Sequence, residues 1–207
     1  MTGSTFPAAS LGEVEARARA CRLCTDLPLG PRPVLRVSAT ARLLIIGQAP
    51  GTKVHASGIP WDDPSGTRLR DWMGIGPDIF YDATRIAIVP MGLCYPGRLP
   101  RGGDAAPRQI CAPQWHPPLL ERMPALELTL LVGAYAQGRY LGRGPVAQHV
   151  RAFRRYAPHT LPLPHPSWRT MAWERANPWF ALELLPVLRA RVAELILPAP
   201  AARSPRR

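Results

Sequence analysis

Lysine is almost missing from this chain: 25 of its 26 basic residues are arginine, and only Lys53 is lysine. Asparagine is as rare, with Asn177 the single example. No run approaches the roughly 18 to 20 apolar residues of a membrane-crossing helix. The opening MTGSTFPAAS lacks the charged and apolar regions of a secretory signal. These absences predict a cytoplasmic protein with no membrane association. Cysteine is limited to four residues, and in a reducing compartment so few thiols are poor candidates for structural disulfides and better ones for metal ligation.

What is present suits one sizeable domain: 207 residues, 46% of them hydrophobic, can bury a real core. Fourteen acidic residues set against 26 basic ones leave a formal charge of +12, a field that attracts polyanions such as nucleic acid.

Apolar runs at 41–47, 85–92, 128–135 and 159–164 are short, rich in branched residues and bounded by turn chemistry, as buried parallel strands are. Helical patterns lie between them. Ser10 and Glu13 have capping-box spacing ahead of EVEARARA, and further helices are expected at 67–74, 117–124, from 134, at 146–156 and at 178–196. The last has Asn177 as its cap and Pro178 in its first turn. Alternating strands and helices predict a three-layer α/β/α domain around a central, mainly parallel four-stranded sheet over residues 10–197. Residues 1–9 and the basic tail 198–207 are expected to be disordered. In such folds ligands bind beyond the carboxyl ends of the strands, so the proline-rich exits at 47–51 and 164–167 should share one rim.

Cys21 and Cys24 form a CxxC pair, while Cys94 and Cys111 are separated by a Pro/Gly-rich loop. Two thiolates three positions apart grip one metal or cluster from a single turn, and the fold must bring the other two near. Ligand identity alone does not separate a 4Fe-4S cluster from zinc.

In order along the chain stand CxxC (21–24), GQAPG (47–51), GIPW (58–61), Cys94, Cys111 and HPS (165–167). Arranged so, they resemble the uracil-DNA glycosylase superfamily, specifically its iron-sulfur, family-four type branch, over about residues 20–195. The resemblance implies a monofunctional, monomeric DNA repair enzyme that flips a deaminated base out of the stack and hydrolyses its N-glycosidic bond, with a 4Fe-4S cluster on the four cysteines. By position, Gly47, Gln48, Ala49 and Gly51 supply the first motif's backbone contacts and catalytic polar groups, with the Gln48 amide able to orient water or hydrogen-bond the base, and Trp61 is the floor on which the base stacks. His165 donates a hydrogen bond to the departing base, Ser167 and Arg169 grip phosphate, and Trp168 pushes into the duplex. Arg98 and Arg101 are expected to touch the DNA backbone.

Three departures from that pattern matter. Gln48 stands where the iron-sulfur relatives have glutamate, and Ala49 where the classical branch has its water-activating aspartate. A catalytic carboxylate must then come from elsewhere: Asp63 resembles the aspartate of a family-five-like D-x-S-G stretch, Asp62 competes with it, and either suits the cap of the following helix. Pro90 occupies the place of the asparagine that reads uracil, which leaves base reading to main-chain groups near Met91 and Gly92. The missing groups keep open a second reading, a glycosylase-like module that binds damaged or single-stranded DNA without cutting it. A zinc-stabilised domain with an unrelated small substrate is the third.

Overall fold

The computed structural model describes residues 9–100 and 102–196. Ala9, inside the segment expected to be disordered, is held by its carbonyl, which accepts from Arg122 Nε at 2.6 Å. The rest of that segment, the tail and Arg101 lie outside the described residues.

Four apolar runs form the sheet: β1 (Leu43–Ile46), β2 (Ile86–Ile88), β3 (Leu128–Val132) and β4 (Thr160–Leu163), all parallel, in the order β2-β1-β3-β4. Alternation sorts their side chains into two cores. Leu43 and Ile45 face one side with Ile86, Leu130 and Leu163; Leu44 and Ile46 face the other with Ala87 and Leu131. Pro162 has no N–H for a ladder and sits in β4, at the sheet's edge, where such a residue is tolerated.

Helices cover both faces. The second core packs α1 (Leu11–Arg19) and, later in the chain, the helix over Cys111–Leu120 and that over Ala134–Tyr140. The Ser10–Glu13 capping box is formed. After β1 come α2 (Thr52–Ser57), α3 (Pro64–Met73) and α4 (Pro77–Phe80); the helices at 111–120 and 134–140 are then α5 and α6. The chain continues through α7 (Val146–Arg151), α8 (Thr170–Ala176) and α9 (Leu185–Ile196). Residues of α3, α4, α7 and α9 fill the first core. This is the expected three-layer α/β/α fold.

Helix α5 departs from expectation. Pro117 and Pro118 read as a helix start, yet the helix begins at Cys111 and carries both prolines inside. Ala112, Trp115, His116 and Leu119 recur at helical spacing and are buried, so packing overrides the cost of two missing donors. Asn177 closes α8 instead of opening the last helix. Its Nδ2 donates to the Trp173 carbonyl at 2.8 Å and its Oδ1 accepts from Trp179 Nε1 at 3.0 Å. A π-helical turn (Phe180–Leu184) then leads into α9.

Because β1 is flanked by β2 on one side and β3 on the other, the direction of strand addition reverses at β1. Such a switch point leaves a crevice beyond the carboxyl ends of the strands. His116 fastens α5 to this rim: its Nε2–H donates to the Pro90 carbonyl at 3.0 Å, so Nδ1 accepts from Tyr140 Oη at 2.6 Å.

Burial pushes the His116 pKa down from 6.5 to about 4, and only the Pro90 bond opposes it. The unfolded chain therefore binds the extra proton between those values, and stability falls as pH drops from 6.5 towards 4. At about 1.4 kcal/mol per pH unit the loss reaches at most roughly 3 kcal/mol. Denaturant unfolding across that window should show wild type losing more stability than His116→Gln; parallel curves would contradict the assignment.

Candidate active site

A cavity of about 110 Å³ opens at the switch point. Gly47, Gln48, Ala49 and Gly51 enter it from the exit of β1, Pro90 from beyond β2, and His165 from the exit of β4. The two proline-rich exits thus share one rim.

The loop between α2 and α3 supplies the facing wall. Trp61 lies across from His165, with ring centroids 5.9 Å apart and planes tilted by 32°. Its backbone has φ of +59°, the left-handed region that a bulky side chain rarely adopts. Close packing holds it there. A Cβ on Gly66 would stand 1.8 Å from the Trp61 carbonyl oxygen, and a Cβ on Gly47 would stand 2.7 Å from Trp61 Cζ2. The same carbonyl accepts from Tyr81 Oη at 3.3 Å. The density of glycine and proline in GIPWDDPSG is therefore local: Pro64 opens α3, Asp63 caps it, and Gly66 makes room for the turn beneath the indole.

Asp63 caps α3 and borders the cavity. Its Oδ1 accepts from the Gly66 N–H at 2.8 Å as the α3 cap, and its side chain also lines the cavity. Asp62 is exposed and belongs to a shallower depression outside. Burial lowers the His165 pKa, with the Asp63 charge partly opposing it, so the imidazole is neutral near pH 7. The His165 carbonyl accepts from the Ser167 N–H at 2.8 Å and from the Thr170 hydroxyl, which fixes the HPS turn.

Met91 and Gly92 do not reach the cavity as readers. Their N–H groups donate to the Gly47 and Gln48 carbonyls, each at 2.9 Å. Pro90 has no N–H, and its carbonyl is taken by His116. The Met91 and Gly92 N–H groups, expected to read the base, are thus engaged in holding the first motif. Gln48 takes a different place: its Nε2 donates to the Ala105 carbonyl at 3.2 Å, an acceptor that turns Oε1 the other way.

Asp104 also lines the cavity, and no motif in the sequence marks it. The signal was Gly102-Gly103, two glycines with φ of +86° and +87° that close a hairpin in which Arg98 and Asp104 pair.

Outside, the cavity leads into an open groove of about 500 Å³ lined by Lys53, Arg68, Ser167, Trp168 and Met171 among others. Trp168 is 73% exposed, with the Arg169 guanidinium over its ring at 5.3 Å. Arg98 is exposed as well.

All four cysteines line a second, mostly apolar recess beside Pro31, Leu93 and Trp115. Burial pushes Cys94 up to about 11 and Cys111 up to about 12. Two main-chain donors oppose this: the Leu93 N–H lies 3.2 Å from Cys111 Sγ, and the Arg32 N–H bonds Cys94. Donors aimed at sulfur favour thiolate, the form a metal or cluster needs. Among the described residues no three His, Cys, Asp or Glu side chains are grouped tightly enough to share one ion. Four thiols around one recess, with N–H donors to two of them, are the donor set that a metal ion or cluster held by sulfur needs.

Compared with known families, residues 36–189 match the one described as the Uracil DNA glycosylase superfamily. The match takes in every cavity-lining residue except Val34 and begins after Cys21 and Cys24. Among the described residues no helix is long and apolar enough to cross a membrane.

The contact between Gly47 and the indole is open to measurement. Gly47→Ala should cost about 1–3 kcal/mol of stability by overpacking, and most of that cost should vanish when Trp61 is also alanine. A double-mutant cycle by denaturant unfolding measures the coupling, and additive effects would show that the two residues do not meet.

Proposed function

Because the chain belongs to the uracil DNA glycosylase superfamily, we propose that it hydrolyses the N-glycosidic bond of uracil, or of another deaminated base, in DNA. The observation that carries this reading is the neutral, half-buried His165 beside Trp61, ring centroids 5.9 Å apart, on the wall of a cavity of about 110 Å³. A base flipped from the stack lies on the indole, and the His165 N–H meets the charge that develops on the departing ring. No side chain among the described residues hydrogen-bonds to that imidazole, so its N–H is available to the base.

Gln48 carries the base reading. With Nε2 committed to Ala105, its Oε1 accepts the lactam N–H that uracil, hypoxanthine and xanthine share. Cytosine and adenine present a lone pair at that place, and two acceptors facing each other repel. Trp168 and Arg169 fill the gap left in the duplex, Ser167 and Lys53 line the groove along which phosphates pass, and the exposed Arg98 is a further backbone contact.

Cys21, Cys24, Cys94 and Cys111 would hold a 4Fe-4S cluster. It would supply structural cross-linking of the amino-terminal loop to the Cys94–Cys111 loop, with no redox step in the reaction. Support comes from the shared recess and the N–H groups directed at sulfur.

Two measurements test the reading. His165→Ala should slow single-turnover base release from uracil-containing DNA by roughly 10²–10³-fold with DNA affinity nearly unchanged; an unaltered rate removes the imidazole from the mechanism, and retarded DNA with no abasic product from wild type marks a binding module instead. Protein purified without oxygen should be brown and carry iron and acid-labile sulfide, both lost in Cys94→Ser; a colourless protein with stoichiometric zinc would replace the cluster with a single ion.

A further inference from the structure

The base cavity and the outer groove share four residues: Gly51, Asp63, Ser65 and Asp104. If the flipped base occupies the inner space and the phosphates the outer one, the sugar and its C1′ lie at this threshold. A water attacking C1′ must meet its proton acceptor there. Two carboxylates stand at the place, and they are not equivalent.

Asp63 is committed to the α3 cap through its bond from Gly66. Asp104 has no hydrogen bond or ion pair to its carboxylate among the described residues, and its Oδ2 lies 3.4 Å from where a Cβ on Gly51 would stand. A hairpin delivers it. Leu99 N–H donates to the Gly103 carbonyl and Gly102 N–H to the Leu99 carbonyl, both at 2.9 Å, while Ala105 N–H donates to the Gly97 carbonyl at 2.8 Å. The Ala105 carbonyl in turn holds Gln48.

We propose that Asp104, presented by the hairpin between Cys94 and Cys111, is the general base of the glycosylase reaction. The assignment rests on the proposed glycosylase activity. Asp104 takes a proton from water as the water oxygen bonds to C1′. The C1′–N bond breaks, and its electron pair leaves with the base, where the His165 N–H steadies it until solvent protonates it. The products are the free base and an abasic sugar bearing the new hydroxyl.

The charges facing Asp104 suit that role. Lost hydration and the Asp63 charge raise its pKa, and Arg98 on the same hairpin pulls it back. Lys53 lines the shared groove, Arg169 reaches Gly103, and His165 stands neutral deeper in the cavity. A base must be deprotonated, so the rate of base release rises with pH through the Asp104 pKa.

The test is single-turnover release of uracil from a single-stranded oligonucleotide by wild type, Asp104→Asn and Asp63→Asn across pH 4 to 8, with DNA affinity and thermal unfolding measured in parallel. Asp104→Asn should lose roughly 10²-fold or more and the ascending limb of the profile, while still binding DNA and unfolding like wild type. Asp63→Asn, which preserves a capping side chain, should retain that limb. A rate for Asp104→Asn within about threefold of wild type, or a slowed variant that keeps the ascending limb, would overturn the assignment of Asp104 alone. An inert wild type would overturn the glycosylase reading itself, and the proposal with it.

Discussion

The site depends on one contact: an indole wedged between two glycines. Trp61 is held at a positive φ that costs of order 1–3 kcal/mol. It stays there because Gly66 passes under its carbonyl and Gly47 under its ring, with no room for a methyl group at either place. The strand exit and the start of α3 are thereby locked to the same side chain. Everything else in the cavity is measured from it, including the imidazole 5.9 Å away.

A second constraint is the use made of the strand-exit polar groups. The carbonyls of Gly47 and Gln48 receive the N–H groups of Met91 and Gly92, and the Pro90 carbonyl receives His116. This cross-linking ties the exits of β1 and β2 together and leaves the Met91 and Gly92 N–H groups and the Pro90 carbonyl already partnered. The Arg98–Asp104 hairpin then gains importance, since it places a carboxylate at the cavity threshold and orients Gln48 through the neighbouring carbonyl. The hairpin springs from a segment whose two ends, Cys94 and Cys111, lie in the sulfur-lined recess, which connects that recess to the wall of the cavity through one stretch of chain.

The strands were legible because each combines branched apolar residues with an abrupt Gly/Pro exit, and burial on both faces leaves such runs few alternatives. That the exits at 47–51 and 164–167 share one rim was legible for the same reason, since strand exits in a parallel sheet converge; Trp61, in the loop between α2 and α3, was singled out by the resemblance alone. Helix α5 was not, because its prolines look like a beginning and only the burial of Trp115, His116 and Leu119 shows otherwise. Short helices such as α2 and α8 have too few residues for a period to register. The roles of Met91, Gly92 and Asp104 lay beyond reach for a different reason. They depend on which partner each group meets across the chain, as the bonds from Met91 and Gly92 into the first motif show.

The nearly complete replacement of lysine by arginine has a practical consequence. Lys53 is exposed on the wall of the outer groove and is the sole side-chain amine in the protein. Acylating reagents that spare guanidinium groups therefore have a single side-chain target, and it sits beside the entrance. A fluorophore or crosslinker attached there would report on whatever enters the groove, with no engineered cysteine to compete with the four native thiols.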